Sequence, residues 1–179
     1  MIGLDIEKSK KLSEELNKLL STYSIFYLNV RGYHWNIKGN KFFELHVKFE
    51  ELYTDIFNKI DEVAERIVTL GYTPLHTYED YLNNSSIKPE KDISNPENTV
   101  SGVLNSLKTL IIMQREILSL SDDLNDEGTN ALVSDYIREQ EKSYGCIQLI
   151  YIHNIYYIRF NIFKSRWYTT LFFLFLYKR

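Results

Sequence analysis

The stretch YSIFYLNVRGYHWNIKGNKFFELHVKFEELY, residues 23–53, decides the fold, because it holds the end of one helical pattern, a turn and the start of the next. Apolar residues recur at steps of three and four along residues 5–35 and again along residues 42–70. This spacing predicts two long amphipathic helices. The intervening NIKGN, residues 36–40, has turn chemistry, so we expect the two helices to form an antiparallel hairpin.

Further along the chain, Gly71 and Pro74 act as stop signals for the second helix. A short helix is predicted at His76–Leu82, inside an otherwise irregular segment. The sequence Asn95-Pro96-Glu97 combines a capping residue, a first-position proline and an acidic residue, so a third long helix is predicted to start there.

This third helix is predicted to end near Leu120, before the acidic turn SDDLNDEGT, residues 121–129. A fourth, partly buried helix follows the turn. Four long helices with a middle crossover predict an all-α four-helix bundle, with the short helix lying in the crossover.

Composition indicates the cellular compartment that we expect for the chain. It has 179 residues and one cysteine, Cys146, and it opens MIGLDIEKSKK without an apolar signal region. These features favour a reducing cytoplasm over a secreted environment. The longest charge-free runs of the C-terminal part are shorter than the roughly 20 apolar residues of a spanning helix, so no membrane protein is expected.

The charges are unevenly distributed along the chain. Residues 145–179 contain five Lys or Arg and no Asp or Glu, whereas residues 1–144 contain 16 basic and 24 acidic residues. The acidic excess of the longer part does not indicate a broad DNA-binding face. A local basic cluster, Lys8, Lys10 and Lys11, could contact phosphates, but such a cluster is more often a solvated helix face.

Candidate metal ligands lie on the first two helices. They are His34, His46, Glu50, Asp61 and Glu65, and imidazole with carboxylate suits iron, manganese or zinc. His34 and His46 each lie six residues from Asn40 in the turn, so the hairpin brings them face to face. Asp61 lies fifteen residues beyond His46, which is roughly 22 Å along a helix. One chain therefore cannot place His46 and Asp61 on one ion.

A second copy of the chain removes this obstacle. If two of these helices pack antiparallel about a two-fold axis near residue 55, His46 of one lies opposite Asp61 and Glu65 of the other, and symmetry creates two equivalent sites. The alternative is that each residue has an ordinary role. A lone histidine is more often a surface or core residue, and Glu65 could pair with Lys59 or Arg66.

At this point the sequence resembles the Dps mini-ferritins. The segments that carry the resemblance are residues 23–53, IDEVAERIVTLGYTP at 60–74 and DEGTNALVSDYIREQEK at 126–142, with the spacing H-x11-H-x14-D-x3-E. The resemblance implies a ferritin-like four-helix bundle in residues 1–144. It also implies iron as the metal, His34 and His46 from one subunit, Asp61 and Glu65 from its partner, and Glu50 near a second iron position.

The resemblance further implies a hollow shell of twelve subunits built from two-fold dimers. In such a shell Fe(II) is oxidised by hydrogen peroxide, with the four ligands His34, His46, Asp61 and Glu65 as the catalytic set, and ferric mineral is stored. The acidic turn, with Asp122, Asp123, Asp126 and Glu127, then either lines three-fold pores or caps helices. A non-catalytic DNA-compacting or structural shell protein is the alternative function. A site inside one subunit is disfavoured, because no Glu-x-x-His pair occurs.

Residues 145–179 depart from the family, which typically continues with Trp-Met after the equivalent of Tyr144. One lost T before a TGG-ATG pair would give the observed Gly145-Cys146, and the aromatic, basic composition is typical of AT-rich DNA read out of frame. We interpret this tail as a frameshift product. The alternative is a true extension that binds a membrane or a partner.

Overall fold

The computed structural model describes residues 2–149, and Met1 and residues 150–179 lie outside its described part. Five helices occupy most of the described residues: α1 (Ile6–Asn36), α2 (Phe42–Thr69), α3 (Tyr78–Asn84), α4 (Pro96–Leu124) and α5 (127–149). Residues 2–149 contain no strand. The predicted all-α bundle with a short crossover helix is thus confirmed.

Helix α1 lies at the centre of the packing, in contact with α2, α3 and α4. Its buried face follows the predicted helical spacing and consists of Leu12, Leu16, Leu19, Tyr23, Phe26 and Val30. Val133 and Tyr136 of α5 belong to the same core. Burial of apolar side chains, at about 25 cal/mol per Å², is the main force that holds such a bundle together.

Two of the predicted helix boundaries are confirmed closely. Asp5 caps α1, because its side chain accepts a hydrogen bond from the Lys8 backbone N–H at 2.9 Å. Helix α2 ends at Thr69, and Gly71 follows with a φ of 89°. Glycine is favoured there because a side chain would strain this left-handed conformation.

Two other boundaries are corrected. The short helix begins at Tyr78 rather than His76, because Thr77 accepts a hydrogen bond from the Asp80 N–H and acts as the cap. Helix α4 continues to Leu124, four residues past the predicted end. It stops only where Asn125 takes a left-handed conformation, with φ 54° and ψ 39°. Residues 121–124 of the predicted acidic turn are therefore the last turn of α4, and residues 127–129 already belong to α5.

The predicted boundary after Tyr144 falls inside a helix, since α5 is helical through residue 149. The greater part of the predicted tail, residues 150–179, lies outside the described residues. Within residues 2–149 no helix has both the length and the apolar character that crossing a membrane requires.

Candidate metal centre

His34 and His46 lie face to face across the α1–α2 hairpin, as the sequence predicted. Their imidazole rings are stacked, with centroids 3.7 Å apart. The turn that brings them together is anchored at Ile37, which is buried, and by a hydrogen bond from the Lys38 N–H to the Ser94 carbonyl at 2.9 Å. The hairpin thus fixes the spacing of the two rings.

Reciprocal hydrogen bonds orient both imidazoles. His34 Nδ1 bonds the His46 carbonyl at 2.8 Å, and His46 Nδ1 bonds the His34 carbonyl at 2.9 Å. A carbonyl oxygen only accepts, so we assign the proton to Nδ1 in each ring. In the neutral rings Nε2 is then left with a free lone pair, which is the arrangement that metal-binding histidines use.

Aromatic side chains surround the histidine pair. Phe42 stacks on His46 at 5.0 Å, and Tyr53 meets His34 edge-on at 5.4 Å between ring centroids. The His34 side chain is only 8% exposed, whereas Trp35 beside it is 66% exposed. His34 is therefore buried, His46 is half-buried, and an exposed aromatic side chain lies next to His34 in sequence.

The three carboxylates predicted to act with the histidines, Glu50, Asp61 and Glu65, are all exposed on α2. None of the ion pairs within residues 2–149 involves them. The local pairing considered for Glu65 does not form, because Lys59 bonds Asp55 and Glu139, and Arg66 bonds Asp126. These carboxylates are thus uncommitted within residues 2–149.

Lys59, one of the two cations considered as a partner for Glu65, is paired with two other carboxylates. Its ammonium is 2.7 Å from Asp55 and 2.9 Å from Glu139, although the residue is only 5% exposed. Burial lowers the pKa of Lys59, but the hydrogen bonds to the two carboxylates outweigh burial and hold the pKa above the ordinary lysine value. The Lys59 charge is therefore not available to Glu65.

The described residues of a single chain do not gather a complete ligand set. Among residues 2–149, no three His, Cys, Asp or Glu side chains converge closely enough to hold a metal ion. Helix α2 is unbroken from Phe42 to Thr69, so His46 and Asp61 are separated by roughly 22 Å along one rod. Asp61 therefore cannot share an ion with His46 of the same chain.

The exposed face of α2 has an internal symmetry. Large apolar side chains lie exposed along it at Phe43, Val47, Phe57 and Val68, among the uncommitted carboxylates. Positions at equal distances from the midpoint between residues 55 and 56 correspond to each other: Thr54 with Phe57, Glu50 with Asp61, His46 with Glu65, and Phe43 with Val68. An antiparallel copy of α2 would therefore place Phe43 opposite Val68 and His46 opposite Glu65.

The polar cluster at the centre of the bundle differs in chemistry from the histidine pair. There Tyr23 of α1 accepts hydrogen bonds from Gln114 of α4 at 2.7 Å and from Gln140 of α5 at 2.5 Å. Burial raises the pKa of Tyr23. This neutral, buried cluster contains no carboxylate or imidazole, and it agrees with the absence of Glu-x-x-His pairs from the sequence.

Only some of the acidic residues of the predicted turn are exposed, as residues that line a pore have to be. Asp126 is 3% exposed and caps α5, because it accepts a hydrogen bond from the Thr129 N–H at 3.1 Å. It also pairs with Arg66. The capping interpretation thus holds for Asp126, whereas Asp122, Asp123 and Glu127 are exposed.

Sequence reasoning did not single out Tyr53, which meets His34 edge-on, or Arg31, which contacts Tyr27 and Trp35. Arg31 lies three residues before His34 and so shares a helix face with it, and Tyr53 lies seven after His46. The helical spacing from each histidine was the signal that could have identified them.

Comparisons with known proteins agree with this fold. Residues 13–144 match the family model of the ferritin-like domain. The chain is 57% identical over 141 residues to an uncharacterized protein of Haemophilus influenzae, covering 79% of this chain and 88% of the relative. It is 35% identical over 140 residues to the DNA protection during starvation protein of Porphyromonas gingivalis, covering 78% and 88% of the two chains.

Solved structures show the same similarity. The chain superposes on the crystal structure of a Dps protein from Vibrio cholerae O1 with a TM-score of 0.82, at 50% identity, covering 83% of this chain and 94% of the other. That protein is described as a member of a broad superfamily of ferritin-like diiron-carboxylate proteins. A Dps protein from Bacillus brevis gives a TM-score of 0.78 at 28% identity, covering 80% and 97%.

Proposed function

The chain belongs to the Dps family of ferritin-like proteins, and on that premise we propose that it is a ferroxidase that stores iron. Its substrate is Fe(II), its oxidant is hydrogen peroxide, and the site is shared between two copies of the chain. The observation that carries this proposal is the oriented His34–His46 pair, which lies on the same helical hairpin as three uncommitted carboxylates.

The proposed dimer places two α2 helices antiparallel, with the two-fold axis between residues 55 and 56. Asp61 and Glu65 of the second copy then face His34 and His46 of the first, and Glu50 lies near a second iron position. The exposed Phe57, 58% accessible in one chain, lies beside the axis and becomes buried. Burial of such apolar area supports stable pairing. Six such dimers would make the twelve-subunit shell that we propose.

In the proposed reaction each residue has a defined task. His34 and His46 donate Nε2 lone pairs, held in place by the Nδ1 hydrogen bonds to backbone carbonyls. The carboxylates neutralise the charge of the bound ions. Two Fe(II) give up two electrons, one peroxide takes up those electrons and two protons, and the products are two Fe(III) and two waters. No hydroxyl radical is released when both electrons arrive together.

Protection of DNA, which the name of the Porphyromonas gingivalis relative describes, would then come from removing iron and peroxide. The charge balance supports this route over coating of the DNA, since residues 1–144 carry 24 acidic and only 16 basic residues. A non-catalytic shell that compacts DNA is the competing function.

The test compares the parent protein with His34→Ala/His46→Ala and with the control His76→Ala. His76 is exposed and bonds only its own loop, through Nδ1 to the Pro74 carbonyl at 3.1 Å. Each protein is mixed anaerobically with Fe(II), peroxide is added, and ferric absorbance is followed. We expect the double variant to lose at least about a hundredfold in initial rate, in line with the loss of metal ligands, and the control to match the parent. Equal rates in all three would reject the ferroxidase proposal and leave the shell function.

A further inference from the structure

The rings of Phe42, His46 and His34 form a continuous stack at the start of α2. Phe42 is the first residue of the helix, and it stacks on His46 with centroids 5.0 Å apart and planes tilted by 26°. His46 in turn stacks on His34 at 3.7 Å and 23°. A five-membered ring has room for one stacked neighbour on each face, so His46 lies between the other two rings. Phe42 thus covers the face of His46 that His34 leaves free.

Hydrogen bonding alone does not fix the plane of the His46 ring. Its Nδ1 donates to the His34 carbonyl at 2.9 Å, which holds one point of the ring. The χ2 torsion of histidine has a broad minimum, and a hydrogen bond weakens steeply only below about 120° at the hydrogen, so the ring can still tilt. His46 is half-buried whereas His34 is buried, so His46 is the less confined of the two rings. A tilt would move the Nε2 lone pair that the proposed site uses.

Stacked rings on both faces of His46 restrict this tilt, because tilting would separate it from one neighbour and press it against the other. Phe42 is itself held in place. It packs against the hydrophobic core, and its ring meets Phe43 edge-on with centroids 5.3 Å apart. The Phe42 N–H also donates to the Gly39 carbonyl at 3.2 Å. The stack is therefore anchored at its outer end as well as at His34.

Tertiary contacts matter at this end of α2 because the helix has no side-chain cap there. Asp5 and Thr77 cap α1 and α3 with their side chains, whereas Lys41, at the capping position of α2, makes no such hydrogen bond. Phe42 and His46 lie four residues apart and so share one face of the helix. The start of α2 thus presents the two rings together, and their stacking on His34 ties it to α1.

We propose that Phe42 is a positioning residue of the iron site: its ring holds the His46 imidazole in the plane in which Nε2 reaches the metal. This inference rests on the proposed function, in which His46 donates that lone pair. Phe42 has no atom that binds a metal, so it acts only through His46. Removing a group that orients a metal-binding histidine typically weakens metal binding by about ten- to a hundredfold, and we expect an effect of that size.

Matched variants separate orientation of His46 from stability of the fold. Phe42→Leu removes the flat ring, Phe42→Tyr keeps it, and Phe49→Leu alters a buried phenylalanine whose ring meets Tyr33, at 5.7 Å, rather than a histidine. The assembled proteins are titrated with Co(II), a divalent ion whose visible absorption reports its ligand geometry. Calorimetry measures the affinity, and circular dichroism checks the helix content. We expect Phe42→Leu to bind Co(II) at least about tenfold more weakly, with shifted absorption bands, and the other two variants to match the parent.

Parent-like affinity and absorption in Phe42→Leu would overturn the positioning role. An equal loss of affinity in Phe49→Leu would overturn it too, because the effect would then be one of stability. Weakened binding by Phe42→Tyr would contradict stacking, since that variant keeps the ring. If Phe42→Leu does not fold, Phe42→Met is measured instead, because methionine fills irregular space without a flat ring.

The His34→Ala/His46→Ala variant separates the role of Phe42 from the proposed function. If this variant binds Co(II) like the parent, the histidine pair is not the metal site and both proposals fall. If its binding is lost while Phe42→Leu binds like the parent, only the role of Phe42 is overturned. If Phe42→Leu binds weakly but the parent does not oxidise Fe(II), the ferroxidase proposal falls and the positioning role stands.

Discussion

Arg66, next to the proposed ligand Glu65, is bonded to the buried carboxylate of Asp126 with an Nη2–Oδ1 distance of 2.5 Å. Thr129 completes this cluster, because it accepts a hydrogen bond from Arg66 Nε at 2.8 Å and donates to Asp126 at 2.5 Å. The cluster ties the end of α2 to the start of α5. It therefore fixes the part of α2 that carries the proposed carboxylate ligands and removes Arg66 as a competitor for Glu65.

This cluster should make stability depend on the charge of Asp126. Burial alone raises the pKa of Asp126, but hydrogen bonds from Arg66 and Thr129 outweigh it and hold the pKa below the ordinary value. A carboxyl group with a depressed pKa in the folded state stabilises above its unfolded pKa of about 3.9, and this contribution is lost as the pH falls through the folded value. We expect Asp126→Asn to lower the free energy of unfolding at pH 7 by about 1.5–3 kcal/mol, the contribution of hydrogen bonds to charged groups.

Urea denaturation at pH 7 and pH 3 measures this effect. The difference between parent and Asp126→Asn should shrink at the lower pH, because pH 3 lies below the ordinary carboxyl pKa of about 3.9, so the unfolded parent is largely protonated at Asp126. Asp135→Asn is the control, because the pair of Asp135 with Arg138 is exposed and should contribute less than about 1 kcal/mol. A difference for Asp126→Asn that is as large at pH 3 as at pH 7 would contradict the charge argument.

The apolar residues on the exposed face of α2 indicate which substitution should prevent two copies of the chain from pairing. Phe57 lies beside the proposed two-fold axis, so Phe57→Glu removes apolar burial from both copies at once. At about 1.5–3 kcal/mol for each phenylalanine, dimer association should weaken at least about a hundredfold. Sedimentation velocity over a range of concentrations measures this, with circular dichroism as the check on helix content.

Asn58→Glu is the matched control for the pairing prediction. Asn58 is also exposed, but it lies on the neighbouring charged stripe of α2 with Glu51, Asp55 and Glu62. We expect Asn58→Glu to assemble like the parent. If Phe57→Glu assembles normally, the two-fold contact does not run along this face of α2.

The sequence predicted the parts of the site that depend on local spacing. His34 and His46 lie at equal distances from the turn, so an antiparallel hairpin has to bring them together, and their ring stacking confirms it. The helical repeat of α2 likewise determined that Asp61 could not reach His46. Both conclusions need only the rise of a helix and the position of one turn.

The features that the sequence did not predict depend on tertiary contacts. The sequence left Asp126 open between pore lining and helix capping, and its burial and its pairing with Arg66, sixty residues away in sequence, are visible only in the fold. From the sequence alone, His76 is as good a helix start as Tyr78. The predicted start of α3 was therefore two residues too early, because Thr77 acts as the cap. The buried Nε of Arg31, which has no hydrogen-bond partner among residues 2–149, could likewise be recognised only once the fold had placed its neighbours.

The C-terminal segment gives a prediction at the level of the gene. We propose that the reading frame changes after Tyr144, and the match to the ferritin-like domain ends at residue 144. Resequencing the codons for Tyr144, Gly145 and Cys146 should reveal a TGG-ATG pair after the tyrosine codon, restoring Trp-Met. An unchanged GGA-TGY frame, together with the full mass in the expressed protein, would exclude a frameshift. Flotation with lipid vesicles would then test the segment as a membrane-binding extension.

The central claim, an iron site made by two copies, is tested most directly by complementation. One variant, His34→Ala/His46→Ala, lacks the histidines, and the other, Asp61→Asn/Glu65→Gln, lacks the carboxylates. In a mixed dimer one site has neither set and the other site is complete. Random pairing makes half of the dimers mixed, so co-expression should restore about a quarter of the parent rate of Fe(II) oxidation. Each variant alone should be inactive. No recovery in mixed dimers verified by native mass spectrometry would contradict a shared site.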